Sequence, residues 1–500
     1  MNARELALTM LLQITEEKKL CHTVLARELG KYPGLDKRER AFAARLCEGV
    51  VERMLTLDYL ISRCSSVKPE KQKPVVRNIL RMGFYQLNYM EVPPSAVCNE
   101  AVKLAKKRGF AGLSGFVNGV LRAAARETDG LSAAVAGLER EERLSVLYSV
   151  PAWLVGRFLD WYGEESTERM FRAFLEEPAL TARVNLSKCS ADQCRQRLES
   201  EGLEVCGGVF VPEALRLSGI DSPGRIGALR DGFLQIQDES SMLPVLCAGI
   251  KPGDYVIDCC AAPGGKALQA ADLLLRAGRN ARAQGSQAEP PGADRPPLCA
   301  GQSAAAQESG VPLRGLVSAR DISEYKLSKI RENISRCGFP NVEVLLWDAC
   351  RLRQEDAGKA DVVLADLPCS GLGIIARKPD IKYNASPEGL SELVRLQRRM
   401  LETAAKYVKP GGVLIYSTCT VNPEENRENA EWIERELGLE AQSLLPYLPE
   451  KMRAEEALLP EAERGRLQLL PEPGRTDGFF VSRFVRPAEE QKISGGCEWR

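Results

Sequence analysis

Apolar residues in the first 126 positions recur at helical spacing. Leu6, Leu8, Met10, Leu11 and Leu12 open one amphipathic segment, Arg38 to Leu60 forms a longer one, and Pro74 to Met90 a third. Glu91-Val92-Pro93-Pro94 interrupts the pattern, because proline lacks the amide that a continuing helix needs, and a new helix begins near Ser95. Arg108 to Leu113 reads as a turn and Phe116 to Arg122 as helix again. Residues 1–126 are therefore expected to form an all-helical domain, with 127–145 as a linker or short helix. Trp153 to Phe174 is helical, and its aromatic residues (Phe158, Trp161, Phe171 and Phe174 among them) have the spacing of a core rather than of a stacking platform. Beyond it the pattern is mixed. Arg183 to Leu186 reads as a short strand, Ser190 to Glu199 as a helix and Gly207 to Leu217 as strands, which predicts a small α+β module over 146–235.

From about residue 236 the period changes to alternating strand and helix. Apolar runs at 254–257, 315–319, 342–346, 361–365 and 412–417 are strand candidates, with helices at Glu324 to Arg336 and Pro387 to Tyr407 and a last strand at Gly478 to Phe484. This predicts an α/β domain over 236–487, a mostly parallel sheet with helices on both faces. Of the 39 residues from Ala277 to Gly315, 27 are Ala, Gly, Pro, Ser or Gln. Such a stretch buries too little apolar surface to offset its ordering, so it is expected to be a disordered insertion, as is the tail 488–500.

Composition narrows the function classes. At 44% apolar and 27% charged, with no apolar run long enough to span a bilayer and no cleavable apolar leader, the chain is expected to be soluble and cytoplasmic. Its 16 cysteines have no framework spacing, no Cys-x-x-Cys pair recurs, and there is one histidine. That predicts reduced thiols and no metal. Zero net charge hides an asymmetry: residues 1–122 carry 21 Lys plus Arg against 12 acids, and residues 424–472 carry 6 against 13. A basic front module suits a polyanionic partner, with Lys106, Lys107 and Arg108 as candidate phosphate contacts.

The chemistry centres on Asp258-Cys259-Cys260-Ala261-Ala262-Pro263-Gly264-Gly265-Lys266, a Gly-rich turn between an apolar strand and a helix. Such a turn brings backbone close to a ligand and aims free helix N–H groups at it. The spacing is not that of a nicotinamide site, and an acid at the strand tip suits a cofactor with a charged amino-acid end, so S-adenosylmethionine is expected. Ligands of an open parallel sheet sit beyond the strands' C-terminal ends. There stand Asp321, able to accept both ribose hydroxyls; Asp348, able to accept from an adenine amine; Asp366-Leu367-Pro368-Cys369-Ser370-Gly371; and Ser417-Thr418-Cys419-Thr420, followed by Asn422 to Asn426. Cys369 and Cys419 end consecutive strands and sit in polar turns, so both can face one cleft. A thiolate is the right nucleophile for C6 of a pyrimidine, since attack there makes C5 nucleophilic towards a sulfonium methyl. A second thiol or an acid could assist release, and Asp366 could partner ring N3 and the exocyclic amine.

These motifs resemble those of the bacterial RNA cytosine-5 methyltransferases of the NOL1/NOP2/Sun family. Phe116-Val117-Asn118-Gly119-Val120-Leu121-Arg122 in the front module resembles the NusB-like RNA-binding domain, a pairing similar to that of the family's small-subunit rRNA enzymes. The resemblance implies a class I, Rossmann-like catalytic domain with a seven-stranded sheet. It also implies Cys419 as nucleophile, Cys369 as the residue assisting product release, and Asp366 beside them. The implied cofactor set is Asp258, Cys259, Ala261, Ala262, Pro263, Gly264, Gly265, Lys266, Asp321, Lys326, Asp348 and Asp366, with Arg183 and Asn185 helping to hold RNA. The implied reaction is C5-methylation of a cytosine in 16S rRNA, position 967 in reference bacterial numbering, by a monomer acting on RNA or an early small-subunit intermediate. The same chemistry on tRNA or 23S rRNA, and an assembly factor with vestigial activity, are the competing readings. Ala267 stands where the family commonly has Thr, which is expected to weaken cofactor binding modestly.

Overall fold

The computed structural model describes residues 2–127, 130–219, 223–283 and 315–488, and these form two compact units. The first comprises residues up to Glu177 together with Ile374–Ser386. Its helices start where the side chains can satisfy free amides. Asn2 and Glu5 form a capping box on Ala3–Thr15, Asp36 caps Lys37–Glu52, and proline occupies the first turn of Pro74–Tyr89 and Pro94–Lys107. Ser114–Ala124 completes the set, and Leu6, Leu11, Leu46, Val50, Leu57, Ile79, Phe84, Leu104 and Leu121 meet in its core. Helices approach closely at Gly83, where a β-carbon would lie 2.4 Å from a methyl of Leu121.

By packing, the helical unit extends beyond residue 126. Arg140–Tyr148 and Ala152–Ala173, expected in the linker and the α+β module, belong to the helical unit. Thr56 donates to the carbonyl of Val146 and Tyr59 to that of Ala134, so the expected linker is tied down by hydrogen bonds. Phe158, Phe171 and Phe174 are buried against one another, a core as their spacing predicts.

Residues 374–386 pack into this unit with three polar side chains. Asp380 accepts from the amide of Cys21, Tyr383 contacts the hydroxyl of Ser149, and Lys382, fully buried, donates to the carbonyl of Glu52 at 2.8 Å. Burial lowers the Lys382 ammonium from 10.5 to about 7, against the opposing pull of Glu52. The folded value lies below the unfolded one, so charging Lys382 costs stability below pH 7, and the cost fades as pH rises from 7 to 10.5. Lys382→Met should therefore stabilise the helical unit at pH 6, by about 5 kcal/mol at most, and much less at pH 10. Urea melts at the two pH values read this directly.

The second unit spans Pro178–Gly373 and Pro387 onward. It opens with a four-stranded antiparallel sheet of β1 (Leu180–Val184), β2 (Glu204–Gly207), β3 (Ala214–Ser218) and β4 (Leu234–Ile236), in the order β2-β3-β1-β4. A larger sheet follows, of β5 (Tyr255–Asp258), β6 (Leu316–Asp321), β7 (Val342–Leu346), β8 (Ala360–Asp366), β9 (Val408–Thr418), β10 (Glu440–Ala441), β11 (Arg466–Leu469) and β12 (Phe479–Val485). Its order is β10-β12-β9-β8-β5-β6-β7, with β11 also paired to β12. β5 to β9 are mutually parallel, and β10, β11 and β12 join by antiparallel pairing. The sheet thus has 8 strands rather than the expected seven. One face is covered by Gly265–Ala283 and Glu324–Cys337 and the other by Pro387–Tyr407 and Arg427–Leu437.

The helix after the Gly-rich turn runs to Ala283, so the start of the stretch expected to be disordered is helical. The rest of that stretch up to residue 314, and the tail from 489, lie outside the described residues. Acids of the 424–472 stretch are spent on local ion pairs, Glu431 and Glu461 with Arg466, and Glu455 and Glu472 with Arg475. Among the described residues no helix is long and apolar enough to cross a membrane.

Candidate active site

β5 and β8 are neighbours in the sheet although β6 and β7 separate them in sequence, so the strand order reverses between them. At such a point the outgoing loops diverge and leave a crevice beyond the strand ends. Asp258, Asp321 and Asp366 are the last residues of β5, β6 and β8, and the parallel register sets Asp366 opposite Ser417 of β9. The turns carrying Cys369 and Cys419 therefore leave adjacent strands at the same level.

The Gly-rich turn bends through a cis peptide between Ala262 and Pro263, and Gly264 adopts φ +109°, a left-handed conformation that favours glycine. Gly265 then begins the helix. Asp321, 4% exposed, accepts from the amides of Ala262 at 3.3 Å and Ile322 at 2.8 Å and pairs with Lys326 at 3.1 Å, tying the second strand tip to the turn. Asp348, half-exposed, accepts from the amide of Cys350. Cys259 and Ala261 turn their side chains into the apolar cores, where burial pushes the Cys259 thiol up to about 12, so these side chains pack rather than offer polar contacts. Ala267 is likewise wholly buried in the core beneath the helix.

Asp258 is the unusual group. It is 1% exposed, and its carboxylate oxygens have no well-formed hydrogen bond within the protein, only the weak pull of the Cys260 backbone amide. Burial pushes it up to about 7; the Lys266 ammonium pulls it down and the Asp366 carboxylate adds to the rise. Lys266 donates to Asp366 at 2.6 Å and to the hydroxyl of Ser241 at 2.9 Å, and Ser417 donates to the other Asp366 oxygen at 2.7 Å. A buried acceptor left without a well-formed hydrogen bond, beside a second, half-exposed strand-tip acid, suits a ligand that brings positive charge and hydroxyl groups.

The two thiols meet. Cys369 Sγ and Cys419 Sγ lie 3.4 Å apart. The hydrogen bond to Cys419, then burial, raises the Cys369 thiol well above its ordinary value, with the Glu425 carboxylate adding to the rise, so Cys369 keeps its proton. Gly373 lets the backbones close around them: its amide donates to the carbonyl of Cys419 at 3.1 Å, and a β-carbon there would fall 2.2 Å from the carbonyl oxygen of Gly478 and 2.9 Å from that of Cys419. Gly373→Ala should displace the Cys419 turn and lower kcat by about 10- to 100-fold with cofactor affinity unchanged, as steady-state kinetics and calorimetry would record.

Two of the expected RNA contacts are elsewhere. Arg183 is 2% exposed, donates to Gln237 and faces Asp272 at 3.5 Å, and Asn185, equally buried, donates to the carbonyls of Gly232 and Cys337. They join the small sheet to helices of the large one and are not open to a polyanion. Lys107 is exposed but pairs with Glu5, and Arg108 donates to Thr9, whereas Lys106 is exposed. Residues the sequence reading passed over are the partners that fix the site: Ser241, Gln397 and, within the polar run after Cys419, Glu425.

Comparison with known proteins accords with this geometry. Residues 1–126 match the NusB family, 150–221 the ferredoxin-like domain of RsmF/B-like methyltransferases, and 305–485 the 16S rRNA methyltransferase RsmB/F family. The chain is 33% identical to the probable ribosomal RNA small subunit methyltransferase B of Bacillus subtilis, over 96% of this chain and 98% of that protein. It is 31% identical to the probable enzyme of the same name from Synechocystis, over 97% and 99%. Among solved structures, PH0851 shares the fold with a TM-score of 0.74 at 22% identity, covering 97% of this chain and 99% of that one. A methyltransferase homologue from Pyrococcus horikoshii aligns with a TM-score of 0.52 at 25% identity, over 69% and 98%. The chain belongs to the family of the bacterial ribosomal RNA small subunit methyltransferase B proteins, enzymes that use S-adenosylmethionine as methyl donor.

Proposed function

We propose that this enzyme methylates C5 of one cytosine in 16S rRNA, cytosine 967 in reference bacterial numbering, acting as a cytoplasmic monomer on RNA or an early small-subunit intermediate. The observation that carries the chemistry is the pair of thiols 3.4 Å apart beside the Lys266–Asp366 ion pair. The names of the similar proteins, and the match of residues 1–126 to the NusB family, support the small subunit as the source of the RNA.

S-adenosylmethionine supplies an electrophilic methyl group. Asp258 would hold its charged amino-acid end, Asp321 its ribose hydroxyls and Asp348 its adenine amine, with Gly264, Gly265 and Lys266 lining the turn and Lys326 holding Asp321. The target base is extruded, because a thiol cannot reach C6 within a stack. Asp366, held by Lys266 and Ser417, accepts from the exocyclic amine and orients the ring. Cys419, its proton passed to solvent while Cys369 keeps its own, attacks C6, and the electrons of the C5–C6 double bond would take the methyl at C5 as the donor's S–CH3 bond breaks and its electrons stay on sulfur, leaving a neutral thioether. With Cys419 bonded to carbon, its charge no longer bears on Cys369, whose thiol then ionises more readily; its proton passes to solvent, and the thiolate so formed accepts the C5 proton. The C–H electrons restore the double bond, the C6–S bond breaks, and Cys419 leaves as thiolate.

Incubating the purified protein with radiolabelled methyl donor and separate 16S rRNA, 23S rRNA and tRNA tests the substrate. Label in 16S rRNA alone is expected. Label in tRNA or 23S rRNA would keep the chemistry and replace the substrate, and no label in any RNA would favour an assembly factor.

A further inference from the structure

Glu425 lies in the polar run after Cys419 and is wholly buried, yet among the described residues no Lys or Arg pairs with it. Its carboxylate is satisfied by four donors instead. One oxygen accepts from the Ser370 hydroxyl at 2.5 Å and the Asn422 amide group at 3.0 Å; the other accepts from the Ser370 backbone amide and from Gln397, each at 2.9 Å. Ser370 adjoins Cys369, and Asn422 belongs to the turn of Cys419. The same Ser370 hydroxyl lies 2.7 Å from that of Thr420, and Gln397 also donates to the carbonyl of Pro368 at 3.0 Å. Every donor to this carboxylate thus belongs to one of the two cysteine turns or to the helix that buttresses them. A buried carboxylate is tolerated on those terms, because charge-assisted hydrogen bonds are the strong ones and replace the lost water.

We propose that Glu425 is a positioning residue that clamps the Cys369 turn to the Cys419 turn and so sets the separation of the two thiols. Only a carboxylate suits the place, since it accepts at both oxygens, whereas an amide would turn a donor towards two of the four donors. The uncompensated charge has a second effect. It lies beside Cys369 and adds to the rise of that thiol, helping to keep the pair's proton on Cys369. Glu425 touches neither thiol's reacting atoms and acts through Ser370 and Asn422. The inference rests on the reading of Cys369 and Cys419 as the reacting pair.

The test is the pH dependence of alkylation of each thiol by iodoacetamide, resolved by mass spectrometry of the Cys369 and Cys419 peptides, in the full-length wild type and Glu425→Gln. Removing the charge should move the Cys369 midpoint down by about one pH unit. Turnover on RNA should fall about 10- to 100-fold in kcat, with KM for RNA and cofactor affinity unchanged, as expected when reacting groups are misplaced rather than a binding surface lost. A Cys369 midpoint and a kcat both equal to wild type would overturn the proposal. Should Glu425→Gln not fold, Ser370→Ala removes the hydroxyl link in a half-buried turn: a reduced kcat at unchanged cofactor affinity supports the clamp, and wild-type turnover rejects it. Failure of the reaction reading shows elsewhere, as normal turnover by Cys419→Ala whatever Glu425 does.

Discussion

Cys419→Ala should abolish methyl transfer, lowering kcat by about 10⁴-fold or more, while Cys369→Ala should stall after the methyl has been delivered. The two thiols are 3.4 Å apart, so each bears directly on the ionisation of the other. Cys369 is held up by its hydrogen bond to Cys419, by burial and by the neighbouring charges, so it stays protonated while its partner attacks. Without Cys419 no bond to C6 forms. Without Cys369 the bond forms, but the group that takes the C5 proton is missing, so the protein–RNA adduct persists. A denaturing gel separates the cases: Cys369→Ala gives a retarded, RNA-dependent band, and Cys419→Ala and the double variant give none. Both single variants turning over normally would rule out the mechanism.

Asp258 should make cofactor binding release a proton and strengthen as the solution becomes more basic. Its carboxyl rises from 3.8 to about 7 through burial, which outweighs the opposing pull of the Lys266 ammonium and the Cys260 backbone amide. A ligand that brings positive charge favours the carboxylate, so below pH 7 binding must expel a proton and affinity falls by up to about tenfold for each unit of acidification. Calorimetry in two buffers of different ionisation enthalpy measures the proton released. Equal affinity at pH 6 and pH 8, with no proton released, would separate Asp258 from the cofactor. The same group governs stability. Its folded value lies above the unfolded one, so ionising it costs nothing below pH 3.8, progressively more between 3.8 and 7, and the full amount above. Asp258→Asn should therefore stabilise the cofactor-free protein above pH 7, by about 4 kcal/mol at most.

The strand tips were legible in the sequence because a parallel strand is an apolar run, and the first polar residue after it marks the cleft. That is how Asp258, Asp321, Asp366 and both cysteines could be placed before any coordinates. Two strands were not legible, since Glu440–Ala441 and Arg466–Leu469 are too short to carry a period. The helix to Ala283 was hidden because alanine is both the strongest helix former and a mark of low complexity. Arg183 and Asn185 were expected to hold RNA from the resemblance alone, and a motif match does not show that both side chains are buried. Glu425 was one acid among many in an acidic stretch; only the meeting of two turns distinguishes it. The helices at 140–148 and 152–173 pack with the helical unit, whereas the family match over 150–221 groups the second of them with the small module, because a helical period does not say which core its apolar face joins.

Bisulfite sequencing of total RNA from cells with and without the gene tests whether this protein methylates one cytosine of 16S rRNA. One protected cytosine in 16S rRNA, at position 967 of the reference numbering, should become convertible when the gene is removed. An unchanged 16S profile, with or without a lost site in tRNA or 23S rRNA, would contradict it.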